Sequence, residues 1–128
     1  MQEIALRVAV LVIVSGFGMG GCAITDSMTM TYEDCAISHE CTVHGTVTAR
    51  AAEHAWMGQL ILPDGRCISV SLPENDLAAL RKTGPTEMTV TGRVFGDPSG
   101  DREVTSMEID GRKVGLGLCG DFFLFVPD

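Results

Sequence analysis

Five cysteines and three histidines carry most of the chemistry open to this sequence. Cys35, His39, Cys41 and His44 fall within ten residues of one another, with Met28 and Met30 just upstream. Thiolate, imidazole and thioether are soft ligands of the kind that suit Cu(I) or Zn. The spacing Cys-x5-Cys-x2-His nevertheless matches no zinc-finger pattern. Oxidation is the other fate of the same sulfur atoms, and it is the usual one for exported thiols. The alternating context Thr42-Val43-His44 also turns His44 outward on a strand. Disulfides are therefore the expected use of these cysteines, and a copper or zinc handling protein using Met28, Met30, His39 and His44 is the alternative.

Five is an awkward count in an oxidising compartment, where an unpaired thiol is a liability. Setting Cys22 apart leaves Cys35, Cys41, Cys67 and Cys119, enough for two disulfides. Three connectivities satisfy that count. The preferred one pairs Cys35 with Cys41 as a local clip and Cys67 with Cys119 across distant strands. In the chain-entropy picture the longer closure contributes about 3 to 5 kcal/mol.

Catalytic apparatus is missing from the sequence. There is no Gly-x-Ser-x-Gly elbow, no Ser-x-x-Lys, no His-Glu-x-x-His and no phosphate-cradling glycine loop. A redox pair would normally appear as Cys-x-x-Cys, which is also absent. Asp97, Asp101, Glu103 and Asp110 flank a loop, but their spacing does not fit the calcium-loop scheme, and solvated turn acids are the simpler reading. No catalytic residue, cofactor or metal ligand is assigned. His54, beside Trp56 in an expected turn, reads as a surface residue.

The formal charge is −8, and an acidic chain repels phosphate backbones. One Trp, one Tyr and five Phe leave few platforms for stacking bases or sugars. Nucleic acid is excluded as a partner on these grounds. A protein or glycan of the cell envelope is the expected one, with protein preferred.

The compartment is read from the leader. Behind a short head containing Arg7, residues 8–17 form an apolar run too short to span a bilayer, which needs about 20 residues. Small residues follow, and Met19-Gly20-Gly21-Cys22 resembles a bacterial lipobox. That resemblance implies a signal peptide over residues 1–21, a diacylglycerol on Cys22 and attachment to the membrane through that lipid. Ala23 after the cysteine then resembles an outer-membrane sorting signal, facing the periplasm. The rival is ordinary cleavage after Ala23, giving a soluble periplasmic or secreted protein. Residues 22–40 are expected to form a tether and N-terminal segment, Thr-rich and without periodicity.

The elements that position these groups begin at Cys41. Residues 41–51 alternate with period two, with Gly45 on the apolar face as a bend. Residues 56–62 and 67–72 form a hairpin about Pro63-Asp64-Gly65-Arg66. Its second strand sets Ile68, Val70 and Leu72 on one face, opposite Cys67, Ser69 and Ser71. Residues 74–84 carry acids in the opening turn, bases in the closing turn and a Gly-Pro stop, the pattern of a short helix. Strands resume at 87–95, followed by less regular pieces around a tight Asp110-Gly111 turn. An apolar C-terminal extension, 122–126, is expected to be buried on both sides or to lie along an edge.

This order resembles the OB-fold over residues 41–128. The implied architecture is mainly β: a five-to-six-stranded Greek-key barrel with one short helix between strands three and four. In that fold the third strand neighbours the fifth, which makes a Cys67–Cys119 bridge reasonable.

Overall fold

The computed structural model describes residues 29–128, the side chains of residues 101 and 102 excepted. The expected signal segment, Cys22 and Met28 lie outside the described residues. Period-two alternation produces the first strand, β1 (Glu40–Ala52), with Cys41, Val43 and Val47 pointing inward. This strand serves two neighbours. Its first half pairs with β4 (Thr86–Gly96) and its second half with β2 (Ala55–Ile61). The change-over falls at Gly45, where a Cβ would collide with the Ile61 carbonyl, so glycine is what lets β2 approach.

From β2 the chain turns at residues 63–66 into β3 (Cys67–Ser71), antiparallel to it. The last run, β7 (Phe122–Phe125), lies between β3 and β4, parallel to the former and antiparallel to the latter. The order β1-β2-β3-β7-β4 closes on β1 as a barrel. The expected mainly β, five-stranded barrel is therefore present.

Each end of the barrel is plugged. Helix α2 (Glu74–Thr83) follows β3 and sends Leu77 and Leu80 into the core. Glu74 and Asp76 open it, Arg81 and Lys82 close it, and Gly84 ends it at φ 79°. That charge order complements the helix dipole, and the left-handed stop needs glycine. The opposite end is covered by α1 (Tyr32–Ala36), which buries Cys35. Tyr32 lies 5.2 Å from Phe122, the first residue of β7. Thr31 caps α1 by accepting the Asp34 N–H at 3.1 Å. Residues 29–39 thus differ from the expected tether. They dock on the barrel because Met30, Tyr32 and Cys35 supply apolar contacts to its core.

The C-terminal run is buried on both sides, the first of its two expected placements. Residues 122–125 are not an appendage but the strand that closes the barrel. Phe122 and Leu124 face the interior, whereas Phe123 and Phe125 join a separate buried cluster outside it. A strand apolar on both faces gains most where both faces are covered.

The cover is a hairpin of β5 (Ser106–Ile109) and β6 (Arg112–Gly115), a two-stranded sheet apart from the barrel. Between β4 and this hairpin lies one short helical turn, α3 (Ser99–Arg102). Asp110 and Gly111 make the hairpin turn at φ 50° and 82°, the doubly positive form whose twist suits two-residue hairpins. Met57 from β2 meets Ile109, Val114 and Leu116 beneath it, together with Phe123 and Phe125. Ser69 and Ser71, on the face opposite Ile68, Val70 and Leu72, are consequently buried too. No helix among the described residues is long and apolar enough to cross a membrane.

Candidate functional site

The cysteines are placed first, because they fix what the rest can do. Cys35 bonds to Cys41 and Cys67 to Cys119, the preferred pairing, with Cα separations of 5.1 and 5.6 Å. The local clip holds α1 against the start of β1. The long one ties the beginning of β3 to the segment entering β7, whose Cys119 N–H also donates to Ser69 Oγ at 2.9 Å. Cys22 lies outside the described residues.

The alternative metal set is placed only in part, since Met28 lies outside the described residues. Two of its sulfur atoms are consumed in the Cys35–Cys41 bond. His39 is exposed, and Met30 packs partly buried against the barrel core. His44 points outward from β1, as its alternation implied, with Nδ1 2.9 Å from Thr89 Oγ1 and Nε2 3.5 Å from Glu87. Among the described residues no group of three or more His, Cys, Asp or Glu side chains is arranged to hold a metal ion. His54 sits in its turn at φ 74°, its Nε2 3.7 Å from Glu53.

The loop carboxylates are also spread apart. Asp110 bonds Arg93 at 2.6 Å, and Glu103 follows α3 with a left-handed φ of 56°. Asp97 accepts the backbone N–H groups of Ser99 and Gly117, each at 2.9 Å. Burial alone would raise its pKa, but the Gly117 N–H and the Ser99 hydroxyl and N–H outweigh it and hold Asp97 below the ordinary carboxylate value. Its work is to pin two loops together.

In an OB barrel the outer face of strands two and three, with adjoining loops, is where oligomeric ligands bind. Here β5 and β6 occupy that face. Arg112 fastens the cover: its Nη1 donates to the Val126 carbonyl at 2.7 Å and to the Ser71 carbonyl at 3.2 Å. Its Nη2 reaches Asp128 Oδ1 at 2.6 Å, while the guanidinium lies 4.3 Å from the Phe125 ring centre. The side chain is largely buried, so these contacts act where water competes little.

Two open concavities lie elsewhere, one of about 510 Å³ beside Trp56, Leu77 and the hairpin turn at Asp110-Gly111, and one at the other end of the barrel. A groove of about 530 Å³ runs between residues 29–33, the first half of β1 and the turn joining β2 to β3. Met30, Tyr32, Leu62 and Pro63 supply apolar walls, and His44 and Thr89 form one rim. The other rim is ionic. Arg66 donates through Nη1 to Glu33 at 2.5 Å and through Nη2 to Asp64 at 2.8 Å, with its plane 4.6 Å from the centre of the Tyr32 ring. These bonds lower the pKa of Glu33 and Asp64 and raise that of Arg66. A smaller hollow of about 380 Å³ extends it, sharing His44, Leu62 and Pro63 and reaching Ile61 and Glu87.

Such a volume lies in the range of small-ligand and side-chain pockets. Its lining offers apolar walls, an ionic rim at Glu33, Asp64 and Arg66, and the His44–Thr89 pair. Sequence reasoning missed this groove because Arg66 sits in a stretch read only as turn, and Met30 in one read as tether. Their apolar and charged types were visible, but their convergence depends on the barrel closing. No family model matches the chain, and neither a curated protein nor a solved structure matches it.

Proposed function

We propose that this chain is a non-catalytic binding module of the bacterial cell envelope, exported and held at the membrane by lipid on Cys22. The observation that carries the reading is the pairing of all four barrel cysteines in two disulfides. Disulfides form and persist in oxidising compartments. They pair four of the five cysteines with one another, and the fifth, Cys22, follows the small residues of a lipobox-like sequence. Ala23 is consistent with sorting to the periplasmic face of the outer membrane.

The position of the groove fits this role. Thr29 lines it, and the seven residues from Cys22 to Met28 span at most about 25 Å when extended. A lipid-held chain would therefore carry the groove close to the membrane, with the hairpin-covered face elsewhere on the barrel. A protein partner in the envelope suits the apolar walls and ionic rim. The metal-handling alternative is left with Met28, Met30, His39 and His44, since the cysteines of that set are bonded to each other.

Intact mass of the membrane-extracted protein tests the proposal. The expected species begins at a diacylated, N-acylated Cys22 and carries the mass deficit of two disulfides. A water-soluble product beginning at Ile24 would overturn the anchor. A product retaining residues 1–21, or one with free thiols at Cys35, Cys41, Cys67 and Cys119, would overturn the whole reading.

A further inference from the structure

We propose that the groove takes an extended peptide segment with an apolar residue flanked by basic ones, laid along β1 beside His44, where no strand pairs with it among the described residues. This names a partner class and rests on the reading of the chain as a binding module. The first support is the backbone of β1. Antiparallel strands bond through alternate residues on each side. The His39 carbonyl accepts from Val94 N–H at 2.9 Å, so odd-numbered positions at this end bond towards β4. Even-numbered positions bond the other way, and the Thr42 carbonyl duly accepts from Met30 N–H at 2.7 Å. On that same side β2 begins its pairing only at Thr46, opposite Ile61. His44, between Thr42 and Thr46, therefore turns its backbone N–H and carbonyl to a side where no strand pairs with it among the described residues. The groove lies along that side. An added strand gains its affinity from such main-chain groups and its specificity from adjoining pockets.

The pockets then define the side chains. Met30, Leu62 and Pro63 offer a floor for one apolar residue. Charge decides the flanks. Glu33, Asp64 and Glu87 lie on the rims, whereas Arg66 is already engaged by two of them and His44 faces the third. The rim is net negative, as is the chain at −8, so a basic segment is attracted and an acidic one repelled. Oligosaccharides suit the site less well, since the phenol ring of Tyr32 is covered by Arg66 on one side and packs at a tilt against Phe122.

The test uses the processed chain with both disulfides closed, labelled for amide spectroscopy. The probe is the peptide acetyl-Lys-Leu-Phe-Leu-Lys-amide, beside an analogue with Glu at both Lys positions. The cationic peptide should shift the amides of Met30, His44, Leu62 and Thr89 to saturation, and the acidic analogue should bind about ten-fold more weakly. Glu87→Gln removes exposed charge from the rim without touching the Arg66 pairs, so it should weaken the cationic peptide several-fold with the thermal midpoint little changed. Equal binding of the two peptides, shifts centred on Trp56 or the hairpin, or no saturable shift up to about 1 mM would each overturn the proposal. The last result also covers occupation of the groove by residues 23–28 of the chain itself. None of these outcomes bears on export or on the Cys22 anchor, which intact mass decides separately.

Discussion

Inside the barrel, Val43, Val47, Leu60, Val70 and Leu124 meet around an axis that five strands enclose. Outside it, across the same wall, Met57, Phe123 and Phe125 are kept dry by a hairpin of only eight strand residues. The inner core is closed by hydrogen-bonded strands on every side. The outer one depends on side chains: the stacked Phe95 and Phe123 rings, 5.6 Å apart, and the Arg112 clasp. A small domain buries a limited fraction of its surface, and using both faces of β7 enlarges its apolar interior without lengthening the barrel. The consequence reaches function. The face on which OB barrels bind their ligands is covered here by the hairpin, and the groove proposed as the binding site lies at the end where α1 meets β1.

If the two cores are equivalent in weight, breaking either should be equally damaging. Phe123→Ala, on the outer side, is expected to cost about 3 to 5 kcal/mol in urea unfolding, in the same range as Leu124→Ala on the inner side. A loss under about 1 kcal/mol for Phe123→Ala would demote the outer cluster to a loose flap. The disulfides should differ in the same experiment. Removing Cys67–Cys119, with a sequence separation of 52, is expected to cost about 4 kcal/mol, against about 2 for Cys35–Cys41 with a separation of 6. Equal costs would contradict the loop-closure account.

Arg112→Leu sharpens the comparison at the hairpin alone. Losing the donor to the Ser71 and Val126 carbonyls should cost about 1 to 3 kcal/mol and speed proteolysis within residues 103–118 first. Cleavage starting in β1 instead would remove Arg112 from its role as a clasp. Asp97→Asn should have the smallest effect, under about 1 kcal/mol after solvent screening. Because Asp97 sits below its ordinary value of 3.8, its contribution is complete above that pH and is lost as pH falls through the lower folded value. Acid unfolding curves of wild type and Asp97→Asn should therefore converge at low pH. Persistent separation there would show that hydrogen bonds of neutral groups account for the difference.

The inner core was legible because alternation in residues 41–51 and 67–72 reports which face is dry, and because charges at both ends of residues 74–84 mark a helix. Parity left three cysteine pairings open, and the observed one is the preferred local clip plus the long bridge that the OB-fold resemblance makes reasonable. The outer core was not legible. Ser69 and Ser71 read only as the face opposite Ile68, Val70 and Leu72, since hydroxyls in a period-two strand give no hint that a distant hairpin will cover them. The apolar run 122–125 signalled double burial without saying what would lie on each side. Met30, Arg66 and His44 converge only through long-range pairing, so the groove had no local sequence signature. The leader and Cys22 remain sequence readings.

The assignment of the groove depends on the hairpin sealing the opposite face, and amide hydrogen exchange measures that seal directly. Leu116 N–H, bonded to the Thr105 carbonyl at 2.9 Å, reports the base of the hairpin, and Leu124 reports the barrel wall. The two should exchange with opening free energies within about 1 kcal/mol of each other, as parts of one cooperative unit. Exchange at Leu116 faster by about a thousand-fold, with Leu124 still protected, would show the face to be open and contradict the account.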